Sequence, residues 1–220
     1  MMSKMKQMIF VLGVAVSLVA CSKDDNSGSS AVVETITVKD LPADTIIGIT
    51  PGAPPTGGFP FGAGRYTFYS LETNKVIPAS DSASNKWDLA FKGTTIATNS
   101  GNSGPGGGGA FVFVGLFNDL KTIPTDSSFR VDNAPSAFAI PTGSNRAWYV
   151  YDGINQLVNP IPGRVLVIRT ATGKYAKVEI LNYYKGGTTP ATTASDAIKL
   201  NTQRYYTFRY SFQPNGTKTF

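Results

Sequence analysis

Short runs of β-branched and aromatic residues, cut every few positions by glycine, proline and asparagine, dominate this chain and limit what it can become. Such side chains suit a pleated surface and lose rotamer freedom in a helix. No stretch holds a 3.6-residue apolar period long enough for an amphipathic helix. The expectation is an all-β fold of antiparallel sheets joined by long Gly/Pro-rich loops. Strands are expected at Val32–Lys39, Arg65–Leu71, Trp87–Phe91, Thr94–Thr98, Phe111–Leu116, Ala147–Tyr151, Arg164–Arg169, Tyr175–Tyr184 and Tyr205–Phe212. Thr170–Lys174, with Gly173, reads as a hairpin turn. Pro51–Gly64 is dense in proline and glycine and reads as an irregular loop, and Ser195–Leu200 as a helical turn or two.

A different pattern precedes the first strand. Lys4 and Lys6 lead into the apolar run Met8–Ala20, which closes on Leu18-Val19-Ala20-Cys21. The run matches the ~7–15-residue core of a secretory signal and is too short for a ~20-residue membrane span. The closing tetrad is a lipobox, so residues 1–20 read as a cleaved lipoprotein leader and Cys21 as the acylated N-terminus. Two or three acyl chains anchor stably where one does not. Ser22-Lys23-Asp24-Asp25 resembles the export signal that carries Bacteroidetes lipoproteins to the outer face of the outer membrane. Residues 21–30 then form a flexible polar tether, and residues 31–220 one all-β domain.

The missing residue types narrow the chemistry. Cys21 is the single cysteine, which removes disulfides and thiolate sites together. Histidine is absent, and the four methionines all stand within the first eight positions. Ser-His-Asp and Cys-His catalysis is therefore impossible, as are zinc sites of the usual His or Cys composition. The 14 acidic residues show no spacing that singles out a catalytic pair. The expectation is a protein that is not an enzyme and has no metal site of its own. A formal charge of +6, without a block of like charges, is no nucleic-acid footprint.

Gly104, Gly106 and Gly109 spell G-x-G-x-x-G, the spacing of a dinucleotide-binding turn. That fingerprint needs a helix N-terminus behind it. Here Ala110-Phe111-Val112-Phe113-Val114 follows, a strand pattern, so the glycines read as a loop that uses positive φ or a close backbone approach.

Trp87-Asp88-Leu89-Ala90-Phe91, Thr98-Asn99-Ser100-Gly101 and the glycine run to Ala110 together resemble the signature stretch of HmuY-like proteins, the heme-scavenging surface lipoproteins of Bacteroidetes. Ile123-Pro124-Thr125-Asp126, Arg164–Arg169 with Gly173–Val178, and Tyr206–Tyr210 agree in order. The resemblance runs from about Val32 to the C-terminus, with Pro51–Gly64 standing as an insertion. It implies an all-β HmuY-like domain, a heme or porphyrin ligand and a TonB-type outer-membrane transporter as partner.

Heme-binding members grip iron with two His or Met side chains from the region that corresponds here to Ser127–Gly163, and that region contains neither. Tyrosine phenolate also ligates heme iron. Tyr151 is accordingly the first candidate ligand and Tyr149 the second, and strand alternation is expected to let one of them face a pocket while Val150 faces away. The plain reading of both is aromatics on a strand beside Trp148. Trp87 is expected in the core, and Asp88 on the opposite face, satisfying a turn or glycine-loop amide. The expected function is a surface-anchored ligand-binding lipoprotein of the heme-carrying kind. The alternative is a member of the same fold that binds a protein, glycan or other small molecule without heme ligation.

If Cys21 carries the anchor, Cys21→Ala abolishes labelling by a radioactive fatty acid and releases the protein from membranes. Label that persists in the variant overturns the assignment.

Overall fold

The computed structural model describes residues 33–52 and 58–220. The leader, Cys21, the tether and Val32 lie outside them. The described chain runs β1 (Thr35–Pro42), β2 (Gly48–Ile49), β3 (Pro60–Phe61), β4 (Thr67–Ser70), β5 (Lys75–Ile77), β6 (Leu89–Lys92), β7 (Thr95–Thr98), β8 (Gly109–Val114), β9 (Tyr149–Asp152), β10 (Leu157–Pro160), β11 (Arg164–Arg169), β12 (Tyr175–Tyr184), α1 (Asp196–Thr202) and β13 (Gln203–Gln213).

Two antiparallel sheets carry the fold, one ordered β1-β13-β12-β11-β8 and the other β5-β4-β6-β7. The pairs β9-β10 and β2-β3 form separate hairpins. The all-β expectation is met. Strands β11 and β12 have the expected limits, and β13 runs slightly longer at both ends. The loop expected at Pro51–Gly64 contains β3, whose Phe61 carbonyl accepts from the Ile47 amide at 2.9 Å. Strands β5 and β10 were not anticipated, because three residues in one and an Asn-Pro ending in the other give little pattern to read. Ser195 caps α1, its hydroxyl accepting from the Ile198 amide at 3.4 Å.

The main core lies between the sheets. Leu166 and Ile168 of β11 and Phe208 and Tyr210 of β13 meet Tyr69 of β4, Leu89 and Phe91 of β6, and Ile96 of β7. Phe91 stacks on Phe208 at 5.7 Å, and Tyr69 meets that ring edge-on at 5.6 Å. The other face of β11 is covered as well: Val165 and Val167 pack on Phe117, Leu120 and Ile123. This explains the unbroken apolar run of β11, since a strand buried on both faces loses its alternation. Lys177 ties that second layer down, its Nζ donating to the Phe117 and Leu120 carbonyls at 3.0 and 2.8 Å.

The signature stretch folds into a buried polar knot at one end of the sheets. Trp87 and Asp88 precede β6, which begins at Leu89, so the expected strand start moves by two residues. Trp87 is fully buried, and its indole N–H donates to the Ser82 carbonyl at 2.8 Å. The Asp88 carboxylate accepts from the Leu71 amide at 2.8 Å and the Ala171 amide at 3.0 Å, joining the β4–β5 turn to the β11–β12 turn. Asn99 donates to the Ser84 and Trp87 carbonyls and accepts from the Gly106 amide at 2.8 Å. Asp132 accepts from the Thr98 amide, the Thr98 hydroxyl and the Ala139 amide.

This knot accounts for the glycines. A Cβ on Gly104 would meet the Trp87 ring at 2.5 Å, and one on Gly106 would meet Ala171 and the Asn99 carbonyl at 2.8 Å. Close approach, not positive φ, is what Gly104, Gly106 and Gly109 supply, and β8 rather than a helix follows them.

Burial is the largest influence on the Asp88 carboxyl and raises its pKa from the ordinary value, against the amide bonds that lower it. A raised pKa means that the native state binds this proton more tightly than the unfolded chain does. The stability this adds is complete below the unfolded value and is lost as pH rises through the folded one. Asp88→Asn offers one acceptor where two amides point and is expected to cost ~1–3 kcal/mol at neutral pH. In denaturant titrations the wild-type advantage over Asp88→Asn should widen as pH falls into the carboxylate range. A gap that closes on acidification contradicts the assignment.

Candidate functional site

The β9–β10 hairpin carries both candidate tyrosines and is held in place from two sides. Its tip is an Asx-type turn, with the Asp152 carboxylate accepting from the Ile154 amide at 3.0 Å and the Asn155 amide at 3.1 Å. Its base is pinned to β12, because the buried Val158 amide donates to the Tyr184 hydroxyl oxygen at 2.8 Å. The Ile161 amide donates to the Trp148 carbonyl at 2.8 Å, closing the entry to the hairpin against its exit.

Tyr149 and Tyr151 both line one depression of about 410 Å³, together with Thr94, Val158, Tyr183 and Arg204. One of the two was expected to face a pocket. The structure brings both to it, because residues two apart on a strand share a face. Their environments differ. Tyr149 is buried, its ring 4.7 Å from Trp148, and its hydroxyl donates to Thr94 Oγ1 at 3.3 Å. Tyr151 is 48% exposed. Its amide donates to Ser144 Oγ at 2.9 Å, while its phenol has no hydrogen-bond partner among the described residues.

The floor is an aromatic cluster. Tyr183 lies 5.3 Å from Tyr206 and 5.6 Å from Trp148. Burial pushes the phenols of Tyr183 and Tyr206 far up, so both are neutral walls and not sources of phenolate. The Tyr206 hydroxyl donates to the Gly93 carbonyl at 2.9 Å, fixing the β6–β7 turn at the rim.

Arg204 stands at the mouth with φ of 67°, a conformation that costs a non-glycine residue ~1–3 kcal/mol. Its guanidinium donates to the Asp44 carbonyl at 2.9 Å and the Pro60 carbonyl at 3.2 Å, and Nη1 lies 3.6 Å from the Asp44 carboxylate. A second hollow of about 440 Å³ shares Gly93, Thr94 and Arg204 with the first and adds Lys92 and Asp44. Arg204, Tyr183 and Thr94 escape a reading of the sequence, since they come from segments far apart in the chain. Among the described residues, no three acidic, His or Cys side chains converge as a metal site.

A family model described as HmuY protein matches residues 64–195, more than half of the chain. The chain belongs to the HmuY family. The match begins where the Pro51–Gly64 loop ends and takes in both the polar knot and the β9–β10 hairpin. Three crystal structures resemble this HmuY-family chain. One is a candidate lipoprotein from Bacteroides fragilis NCTC 9343, 16% identical, covering 80% of this chain and 88% of its own, with a TM-score of 0.45. Another is a candidate HmuY-like heme-binding protein from Bacteroides vulgatus ATCC 8482, 16% identical over 67% and 84% of the two chains, TM-score 0.42. The third is the apo HmuY analogue of Tannerella forsythia, 17% identical over 83% and 96%, TM-score 0.43. No curated protein matches the sequence.

In this HmuY-family chain the Tyr184 hydroxyl is what seats the hairpin. Tyr184→Phe leaves the buried Val158 amide unpaired and is expected to cost ~1–3 kcal/mol. Hydrogen exchange at Val158 should speed up well beyond that at Leu166 in β11. Equal protection in variant and wild type would show that the hairpin is held by other contacts.

Proposed function

We propose that this HmuY-family chain is a lipid-anchored ligand-binding protein of the outer cell surface, with heme or another porphyrin as its ligand, taken in the depression lined by Tyr151. Cys21 is the anchor in this reading, the outer membrane the site, and a TonB-type transporter the partner that receives the ligand. The observation that carries it is the half-exposed Tyr151 phenol, free of hydrogen bonds among the described residues, over a wall of buried aromatics. The two hollows at Arg204 fall within the ~300–1,000 Å³ range of small-molecule sites.

Among the residues that line the depression, one phenol oxygen, that of Tyr151, would hold the iron. Tyr149 is turned to Thr94, Tyr183 is buried and neutral, and Tyr151 alone offers an open phenol. Bound heme would supply the iron that Tyr151 meets. Arg204 is held by Asp44 and Pro60, and Lys92, in the adjoining hollow, lies 4.5 Å over the Tyr66 ring, so either cation would have to leave a partner to meet propionates. That engagement of Arg204, with the lack of His and Met after residue 8, favours the second reading: the same fold binding a protein, glycan or other small molecule without iron ligation.

The test is an absorbance titration of the full chain with ferric and ferrous heme. The expected outcome is a saturable high-spin spectrum, weaker in affinity than a two-ligand grip, that shifts in Tyr151→Phe and not in Tyr149→Phe. No saturable change with either oxidation state removes the heme reading and leaves the second one.

A further inference from the structure

We infer a second binding site on this protein, for a small organic anion that joins a carboxylate or phosphate ester to a compact apolar body. Arg130 and Arg146 line one cavity of about 330 Å³, with Ser128 beside them and Phe111, Val112 and Pro141 as the apolar surface, the fully buried Ala139 lying behind. The cavity shares no lining residue with the Tyr151 depression.

Neither guanidinium has a hydrogen bond or an ion pair among the described residues. Both residues are exposed, and Arg65 and Arg164 likewise have no guanidinium partner among the described residues, whereas Arg204 bonds Asp44, Arg209 bonds Glu179, and Arg169 donates to the Gly108 carbonyl. No acidic side chain lines the cavity. Asp132, two residues from Arg130, turns its carboxylate to Thr98 and Ala139 instead. Two like charges on one concave wall repel each other and concentrate anions, and the planar fork of each matches carboxylate or phosphate oxygens.

Both backbones are fixed. Arg130 exchanges two hydrogen bonds with Ala110 of β8, at 2.9 and 3.0 Å. Arg146 follows a turn in which Gly143 has φ of 103° and Asn145 φ of 60°, and the Asn145 amide donates to the Tyr149 carbonyl at 2.8 Å. A Cβ on Gly143 would stand 3.4 Å from Arg146 Cδ, so the turn packs along the arginine stem. The cations are thus presented from anchored positions over an apolar surface.

Calorimetry on the full chain carrying Cys21→Ser, which leaves no acyl chain to compete, tests the site with benzoate, phenyl phosphate and neutral benzyl alcohol. Saturable binding of at least one anion, with none of the alcohol, is expected, and the tighter of the two anions identifies the head group. Arg130→Ala with Arg146→Ala should weaken binding at least tenfold at unchanged melting temperature, as expected for lost hydrogen bonds to charge. The double Lys variant should recover part of it, and Tyr151→Phe should leave it intact. Three outcomes overturn the site: no saturable anion binding, an undiminished double Ala variant, or an equal loss in Lys218→Gln, a cation that does not line the cavity.

Discussion

The Asp88 carboxylate holds together parts of the chain that lie far apart in sequence. It sits between two hairpin turns, accepts one amide from each, and is buried while doing so. A charge in that position is costly unless several donors surround it, and burial does raise its pKa. The two turns belong to different sheets, β4–β5 to the four-stranded one and β11–β12 to the five-stranded one. Fixing them on one side chain sets how the sheets meet at that end, and Asn99 and Asp132 extend the same device to the glycine run and the Asp132–Ala139 loop. The apolar core supplies the driving force for packing the sheets. The knot supplies their relative position, because hydrogen bonds have direction and apolar contacts do not.

Glycine is required where the backbone runs over this knot. Gly104 passes against the Trp87 ring and Gly106 against Ala171 and the Asn99 carbonyl, at distances no side chain tolerates. A Cβ on Gly109 would likewise meet the Arg130 carbonyl at 2.7 Å, so the G-x-G-x-x-G spacing arises from packing against an indole, Asn99 and that carbonyl. Its likeness to a nucleotide turn is a coincidence of close approach, the one property the two share.

The fold was legible where strands are long and buried on a plain pattern. β11 and β12 run as expected because an unbroken apolar stretch and a ten-residue run have few alternative placements. β5 and β10 were not, since each is short and makes sense only beside its partner, β4 or β9. The core position of Trp87 could be expected from its size, and for Asp88 a turn amide as partner, but not that Asp88 would itself be buried and reach Ala171, 83 residues away. Of the candidate site, Tyr149 and Tyr151 were named and found together. Arg204 was not, because its left-handed φ and its bonds to Asp44 and Pro60 depend on contacts across more than 140 residues.

The stretches that carry the family resemblance most clearly are packed into the knot: Trp87, Asp88, Asn99 and Ser100 are all nearly or fully enclosed. Matching the family therefore speaks first to the scaffold and only indirectly to what it holds. Part of the surface that lines the cavities lies on residues 127–163, where Arg130, Arg146 and Tyr151 hang from a loop and a hairpin seated on that scaffold by Ala110, Thr98 and Tyr184. Those supports are three backbone groups and one hydroxyl. Side chains on the outer side of the segment can change without disturbing the bonds beneath them. A chain with this scaffold can thus lack imidazole and thioether throughout residues 127–163 and remain folded, and its ligand must be read from the cavities themselves.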